Sequence, residues 1–184
     1  MQTEIILAGF GGQGILFGGM ILAYAAMDNG QNTTWIPSYG PEMRGGTANV
    51  TVIISDEEIG SPIVRQPQAV IAFNIPSLEK YEPLVKTGGV LVYNSSLIDR
   101  APQRTDITYV PVPANDIAKE LGNVKMANMV AVGALITATK LLPLSAISQA
   151  LQNHLPASKR ASLPENERAL SRGVEVVKSL DVMG

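Results

Sequence analysis

A glycine-rich turn near the N-terminus is the first segment whose residue types could bind a ligand. Gly9-Phe10-Gly11-Gly12-Gln13-Gly14 matches G-x-G-x-x-G and lies between an apolar, strand-like run and a helical pattern. Glycines allow a tight turn and the close approach of another group, and the free N–H groups that begin a helix favour an anion. Three interpretations stay open: a site for an anion or a partner's loop, a nucleotide site, or glycines that only let the helix pack closely on the strand.

The nucleotide interpretation needs a further residue that the sequence does not supply. A dinucleotide site of this kind has an acidic side chain about 20 residues further on, at the end of the second strand, where it holds a ribose. The predicted second strand ends in Thr34-Trp35-Ile36-Pro37-Ser38, which contains no acid. Asp28 precedes this strand and Glu42 follows it, so the motif is incomplete.

A second glycine-rich segment covers residues 37–47 and reads Pro37-Ser38-Tyr39-Gly40-Pro41-Glu42-Met43-Arg44-Gly45-Gly46-Thr47. Its glycine and proline pairs are typical of turns, and one acid and one base lie between them. Ligands of open α/β sheets bind beyond the carboxyl ends of the strands. We therefore expect this loop to lie beside the glycine turn, each following one of two neighbouring parallel strands. The alternative is an ordinary exposed loop with a Glu42–Arg44 surface pair.

The residues that several other chemistries require are missing or isolated. The sequence has no cysteine, which excludes a thiolate nucleophile and a cysteine-ligated iron–sulfur cluster on this chain. With a single histidine, His154, no transition-metal site is expected, and a capping or surface role is favoured for it. Asp56-Glu57-Glu58 could bind a cation but is more typical of a solvated turn. We assign no catalytic residue and no metal ligand to this chain.

Composition bears on the partners of the protein. The 184 residues carry a net charge of −2, and only 16% of them are charged, against about 25% in an average protein. Because interface cores are depleted in charge, this favours a subunit that hides surface against partners; a well-packed monomer with neutral loops is the alternative. No basic cluster exceeds Lys159-Arg160, which argues against nucleic acid.

Two long apolar stretches cover residues 14–27 and 126–138. Both are shorter than the roughly 18 residues of a membrane span, and the N-terminal residues lack the basic region of a signal peptide. We expect no membrane partner and a cytoplasmic location.

The segments that must position these loops alternate between strand-like and helix-like patterns. This predicts an α/β fold with a mostly parallel sheet covered by helices and a helical C-terminal part, in one domain over residues 1–184. Gly30 is expected to cap the first helix in the left-handed conformation, and residues 155–163 to form a polar connector. Strands are predicted at residues 4–8, 33–36, 48–55, 69–73, 90–93 and 108–112, and helices at 13–29, 76–86, 115–121, 125–142, 144–153 and 164–180.

The helix predicted at residues 125–142 is apolar on every face, which indicates burial in the domain or at a subunit contact. It contains Asn128. An unpaired buried amide costs about 1–3 kcal/mol, so we expect Asn128 to have a hydrogen-bond partner.

Together these motifs resemble the gamma subunits of 2-oxoacid:ferredoxin oxidoreductases, over essentially the whole chain. The form of the loop at residues 38–46 is most similar to the 2-oxoglutarate or branched-chain 2-oxoacid group. The resemblance rests on the glycine turn, on Ser-Tyr-Gly-Pro-Glu-x-Arg-Gly-Gly in that loop, on Ile54-Ser55-Asp56-Glu57-Glu58-Ile59 and on Asn128-Met129-Val130-Ala131-Val132-Gly133-Ala134.

The resemblance implies a Rossmann-like fold and a role in oxidative decarboxylation, in which a 2-oxoacid, here 2-oxoglutarate, becomes an acyl-CoA and electrons pass to ferredoxin. It implies that thiamine diphosphate, magnesium and iron–sulfur clusters belong to alpha, beta and delta-type partner subunits, and that this chain alone binds no cofactor and is inactive. Coenzyme A acts in the assembled complex. A free-standing nucleotide-binding oxidoreductase domain and a non-catalytic scaffold module are the alternatives. The expected loop or interface residues are Gly9, Gly11, Gly12, Gln13, Gly14, Ser38, Tyr39, Gly40, Pro41, Glu42, Arg44, Gly45, Gly46 and Asn128.

Overall fold

The computed structural model describes residues 1–40 and 47–182, whose strands form one mixed sheet. Within these residues the sheet has the strand order β2-β3-β1-β4-β5-β6. β1, β4, β5 and β6 run parallel, whereas β3 is antiparallel to both of its neighbours. This confirms the expected mostly parallel sheet. The strands are β1 (Gln2–Phe10), β2 (Asn32–Tyr39), β3 (Thr47–Ser55), β4 (Ala69–Ala72), β5 (Val90–Asn94) and β6 (Thr108–Val112).

The position of β3 corrects one expectation about the two glycine-rich loops. β2 and β1 are not neighbours, because β3 lies between them and forms a hairpin with β2. Pro37, Ser38 and Tyr39 therefore belong to β2, and Thr47 to β3, rather than to a loop after a parallel strand. The periodicity of a short strand does not encode its direction, and antiparallel neighbours can be joined without a crossover helix.

The helices confirm the predicted order, with changes at their ends. The 3-10 helix Ala157–Ser162 lies within the expected connector, and the 3-10 helix Val124–Met126 precedes α4. The second predicted helix ends early, at Tyr81, and continues as the 3-10 helix Glu82–Leu84, where Pro83 has no N–H to donate. The α-helices are α1 (Ile15–Asp28), α2 (Ile75–Tyr81), α3 (Ala114–Glu120), α4 (Ala127–Thr139), α5 (Leu144–His154) and α6 (Leu163–Val182).

Helices pack against both faces of the sheet, and the core on one face is larger than the core on the other. The first face, which includes Leu7 and Val50, packs against α1 and α4 in the larger core. The second face, which includes Ile6 and Val70, packs against α2 in a smaller core. All residues of α4 from Ala127 to Ile136 are buried, which confirms the predicted burial of this helix.

Glycines set two close contacts in the larger core. A Cβ on Gly19 of α1 would lie 2.5 Å from Cγ1 of Val50, so this glycine lets α1 approach β3. In the crossing of α4 and α6, a Cβ on Gly133 would lie 2.2 Å from the Leu170 carbonyl oxygen. On the other side of this crossing, a Cβ on Gly173 would lie 2.0 Å from the Val130 carbonyl oxygen. The backbones of α4 and α6 are therefore in contact at Gly133 and Gly173, which have no side chain to hold them apart.

Among the helices of residues 1–40 and 47–182, none is both long and apolar enough to cross a membrane.

Candidate functional site

The glycine turn, residues 9–14, is held in one shape by its own backbone and by a glutamine. Gln13 N–H donates to the Phe10 carbonyl (3.2 Å), and the Phe10 N–H donates to Oε1 of Gln13 (2.6 Å). Gly12 and Gly14 have φ angles of 95° and 73°, a region that disfavours residues with a Cβ. Since α1 begins directly after Gly14, the free N–H groups of its first turn face this loop.

Asn128 ties the glycine turn to the beginning of α4. Its side chain is only 5% exposed; Nδ2 donates to the Gly14 carbonyl (3.1 Å), and Oδ1 accepts from the Met129 N–H (2.9 Å). The expectation that Asn128 is buried and hydrogen-bonded is therefore confirmed. The contact is close, because a Cβ on Gly14 would lie 2.5 Å from Nδ2 of Asn128. The amino ends of α1 and α4 consequently meet at the same place.

A cavity of about 340 Å³ opens between this junction and the C-terminal helices; we call it the basic cavity. Two lysines, Lys125 and Lys159, lie on its wall, and no acidic side chain is among the described residues that line it. Helix amino ends carry a partial positive charge, so two of them beside two ammonium groups favour an anion. The lining residues are Gly12, Gly14, Phe17, Asn123, Lys125, Met126, Asn128, Leu155, Lys159, Ser162 and Asn166.

A smaller cavity of about 200 Å³ adjoins the basic cavity and shares Gly12 and Lys125 with it. Gln13 and Asn115 supply amide groups to this second space. Asn115 lies just after β6, and its Oδ1 accepts from Nδ2 of Asn94 at the end of β5 (2.8 Å). The two cavities thus follow the carboxyl ends of the parallel strands, where ligands of such sheets bind.

The end of the β2–β3 hairpin lies beside the glycine turn. Thr47, the first residue of β3, pairs with Phe10, the last residue of β1, and the Gly40 N–H donates to the Thr47 carbonyl (2.7 Å). Ser38 and Tyr39 are exposed at the end of β2. The predicted site residues Pro41, Glu42, Arg44, Gly45 and Gly46 lie outside the described residues.

Gly9, at the start of the turn, allows close local packing. A Cβ on Gly9 would lie 2.9 Å from Cβ of Phe73 and 2.5 Å from Oε1 of Gln13, which supports the close-packing interpretation for this position. Gly11 is half-buried. The packing interpretation therefore holds for Gly9, and the anion interpretation of the turn stays a prediction.

Comparison with known proteins gives the family. The family model of pyruvate ferredoxin/flavodoxin oxidoreductase matches residues 4–176. This chain belongs to that family. It is 36% identical to the 2-oxoglutarate synthase subunit KorC of Methanocaldococcus jannaschii, over 98% of this chain and 96% of the relative. It is 42% identical to the ketoisovalerate oxidoreductase subunit VorA of Methanothermobacter marburgensis over 73% of this chain, but spans only 28% of that longer relative.

Two solved structures share the fold of this family member. The gamma subunit of a keto/oxoacid ferredoxin oxidoreductase from Geobacter sulfurreducens matches with a TM-score of 0.82 and 32% identity, over 96% of this chain and 99% of that chain. The 2-oxoglutarate:ferredoxin oxidoreductase of Magnetococcus marinus, with 2-oxoglutarate, coenzyme A and succinyl-CoA bound, matches with a TM-score of 0.86 and 26% identity, over 97% of this chain and 31% of that chain.

In this family member, eight of the eleven described residues that line the basic cavity were not singled out as site residues by the sequence. Lys159 and Asn166 lie near the C-terminus, and Asn123 and Lys125 precede α4. Their only signal in the sequence was the basic pair Lys159-Arg160. Asn166 is fixed by Ser162, whose carbonyl accepts from its Nδ2 (2.8 Å), and Asn123 donates to Oε2 of Glu165 (2.7 Å).

His154 lies away from the cavity and joins the ends of two helices. Its Nε2 is 3.0 Å from both carboxylate oxygens of Asp28, and its ring stacks on Tyr24 with centroids 3.9 Å apart. Hydrogen bonds from His154 and Asn153 lower the pKa of Asp28 below its ordinary value. Instead of the expected capping or surface role, the half-buried His154 forms a contact between the last turn of α5 and α1. Asp56 of the acidic turn is exposed and pairs with the N-terminal ammonium group (2.9 Å).

Proposed function

We propose that this chain is the gamma-type subunit of a 2-oxoacid:ferredoxin oxidoreductase, which converts a 2-oxoacid to an acyl-CoA and passes electrons to ferredoxin. Family membership and similarity to KorC over nearly the full length of both chains support this. The KorC relatives and the Magnetococcus marinus enzyme favour 2-oxoglutarate as the substrate. The shorter match to VorA favours a branched-chain 2-oxoacid as the second candidate.

In the proposed complex the redox chemistry lies on other subunits. Thiamine diphosphate with its magnesium ion, and the iron–sulfur clusters, are assigned to alpha, beta and delta-type partners. The absence of cysteine supports this division, because cluster ligands must come from elsewhere. This chain, as one domain, supplies a rigid α/β support and the basic cavity.

The basic cavity is proposed to bind phosphate groups of coenzyme A. The observation that carries this proposal is the meeting of two helix amino ends with Lys125 and Lys159 in a cavity without acidic lining among its described residues. At about 340 Å³ the cavity is too small for the whole cofactor, so it would hold the phosphate-bearing part. The ammonium groups neutralise phosphate charge, and the thiol end would remain free to reach a partner's active site.

Replacing each lysine by glutamine in the reconstituted complex tests this assignment. A hydrogen bond to a charged group contributes about 1.5–3 kcal/mol, and at an open cavity we expect the lower end, or about a tenfold rise in KM for coenzyme A. kcat at saturating coenzyme A and KM for the 2-oxoacid should not change, because the contact is the same in ground and transition states. Lys178→Gln, an exposed lysine of α6 outside the cavity lining, is the matched control. An unchanged KM in both cavity variants would refute the phosphate assignment.

A free-standing nucleotide-binding oxidoreductase is the less favoured alternative. A dinucleotide site uses a second parallel strand next to the first, but β3 separates β2 from β1. β2 ends at Tyr39 without an acid, and Asp28 is bound by His154 at the end of α1 that lies away from the glycine turn.

We also propose that residues 38–46 and the glycine turn form one polar surface, with Arg44 as the partner of an anion or carboxylate and Glu42 as a positioning group. The pairing of Thr47 with Phe10 supports this, because it brings both ends of the hairpin connection to the glycine turn. Arg44→Ala should impair complex assembly or turnover while the isolated chain stays folded, whereas the exposed Arg65→Ala should do neither. Intact turnover and copurification of Arg44→Ala would end this proposal.

A further inference from the structure

We infer that the β2–β3 hairpin docks onto an uncharged, apolar surface of a larger partner chain, the chain that corresponds to the remainder of the longer relatives. This inference rests on the proposed function. We call the docking region the hairpin surface and define it by Phe10, Trp35, Ile36, Tyr39, Asn49 and Thr51. It wraps around the edge strand β2 and borders the proposed polar surface at Phe10 and Tyr39.

Large apolar side chains are exposed together at this corner of the sheet. Phe10 and Trp35 are each 36% exposed, Ile36 is 41% exposed and Tyr39 is 54% exposed. They lie on both sides of the edge of the sheet. Trp35 and Tyr39 project to the face that α1 covers, Ile36 and Phe10 project to the opposite face, and Phe10 and Tyr39 lie at the same end. Aromatic residues are enriched in protein interfaces, and clustered exposed apolar side chains mark interaction sites.

The two strands of the hairpin also lack charge. Neither β2 nor β3 contains an aspartate, glutamate, lysine, arginine or histidine. β2 is an edge strand, and exposed edges are normally protected by lysine, by proline or by a covering element. Pro37 is the one such feature in β2. An uncharged edge with exposed tryptophan and tyrosine is therefore expected to be covered in the working protein.

One face of the hairpin has no helix against it in the described part of the chain. α1 packs on β2 and β3 from the face that carries Trp35, whose Nε1 donates to the Leu16 carbonyl (3.3 Å). Ile36 pairs with Thr51 on the opposite face, where the packing of α2 on the sheet falls mainly on β1 and β4. Ile36, Asn49 and Thr51 thus lie on a part of the sheet that another chain can cover.

The lack of charge on the hairpin surface and the proline in its edge strand limit which protein can bind there. A charged group buried against an uncharged surface loses its hydration without gaining a partner, so the complementary surface must also be uncharged. A second copy that extended the sheet through β2 would need a hydrogen bond that Pro37 cannot donate. In VorA and in the Magnetococcus marinus enzyme the matching region is 28% and 31% of a longer chain. In those proteins the same fold is part of one polypeptide with the remainder, which supports a corresponding larger chain as the occupant.

Docking here would place the partner beside the proposed coenzyme A site. Thr47 of the hairpin pairs with Phe10 at the beginning of the glycine turn, and Gly12 and Gly14 of that turn line the basic cavity. A ligand whose phosphates occupy the cavity could then extend its free end toward the partner.

Trp35 is the only tryptophan of the chain, so it provides a direct test. The chain is labelled with 5-fluorotryptophan and mixed with unlabelled partner chains, and its single ¹⁹F resonance is followed. We expect the resonance to shift on assembly, to lose its solvent isotope effect, and to stay constant when the chain alone is concentrated. A shift on concentrating the chain alone would identify a second copy as the occupant and overturn the inference.

A matched pair of variants completes the test. Ile36→Lys should weaken association with the partner at least tenfold, whereas Ile63→Lys, at a position that is 72% exposed but outside the hairpin surface, should change it less than twofold. Circular dichroism and melting of each isolated variant establish that it is folded. If Ile36→Lys assembles normally and the ¹⁹F resonance does not move, the docking surface is wrong while the proposed function stands. If the wild-type chain neither assembles nor supports 2-oxoacid oxidation, the proposed function itself fails.

Discussion

Replacing Gly173 by alanine should loosen the crossing of α4 and α6. An added Cβ would lie 2.0 Å from the Val130 carbonyl oxygen and 2.9 Å from the Ala134 nitrogen, and real Cβ contacts do not fall below 3.0 Å. Both neighbouring atoms belong to the backbone, so no side chain can rotate away. The helices must therefore separate by about 1 Å, from 2.0 to at least 3.0 Å at the tightest contact.

The size of the effect is the difference between two contributions. Inserting a methyl group into a well-packed core costs about 1–3 kcal/mol, and a backbone clash favours the upper end. Alanine has a higher helix propensity than glycine, which stabilises the folded chain by about 1 kcal/mol. We expect a net loss of about 2 kcal/mol, which lowers the melting temperature of a chain of this size by about 4–8 °C.

Thermal unfolding of the purified chain, followed by circular dichroism, measures this change. Gly60→Ala is the matched control, because Gly60 has no atom within 4 Å of its added Cβ and no positive φ; its effect should stay within about 0.5 kcal/mol. In Gly133→Ala/Gly173→Ala one separation relieves both clashes, so the double variant should lose less stability than the sum of the single variants. A Gly173→Ala chain that melts at the wild-type temperature would refute the close crossing.

Two further predictions concern polar contacts. Hydrogen bonds from Arg104 and Thr87 lower the pKa of Asp106 from its ordinary 3.8 to about 2. The ionised carboxylate therefore stabilises the fold at pH values above 3.8, and this contribution is lost as the pH falls through about 2. Asp106→Asn should be less stable than wild type at pH 7, and denaturant titrations should show that the difference vanishes toward pH 2. Asn128→Ala leaves the Gly14 carbonyl without its side-chain donor and should cost about 1–3 kcal/mol, visible as a lower denaturant midpoint with an unchanged slope.

The order of the elements could be predicted because their signals are local. The buried run of α4, the left-handed cap at Gly30 (φ 81°) and the strand before the glycine turn each depend on residues that are close in sequence. The direction of β3 could not be predicted, because side-chain alternation is the same in parallel and antiparallel strands. Because β3 runs antiparallel to β1, its first residue, Thr47, lies beside Phe10 and thus beside the glycine turn.

The basic cavity could be predicted only in part. The glycine turn and Asn128 stand out as motifs, but Lys159 and Asn166 reach the cavity through the return of the last helices to the amino end of α1. The crossing of α4 and α6 that fixes this return depends on Gly133 and Gly173, forty positions apart in sequence. A pair of glycines at that separation has no local signature.

Activity measured with and without the partner chains decides whether this chain is a subunit of a 2-oxoacid:ferredoxin oxidoreductase. The purified chain is incubated with 2-oxoglutarate, coenzyme A, thiamine diphosphate, magnesium and an artificial electron acceptor, before and after the partner chains are added. We expect no acceptor reduction by the chain alone, because cofactors carry this chemistry and the proposed function assigns their ligands to other subunits. Once the complex is assembled, we expect reduction that depends on both 2-oxoacid and coenzyme A. Reduction by the isolated chain above a no-protein control would overturn the proposed function, as would a fully active partner assembly that gains nothing from this chain.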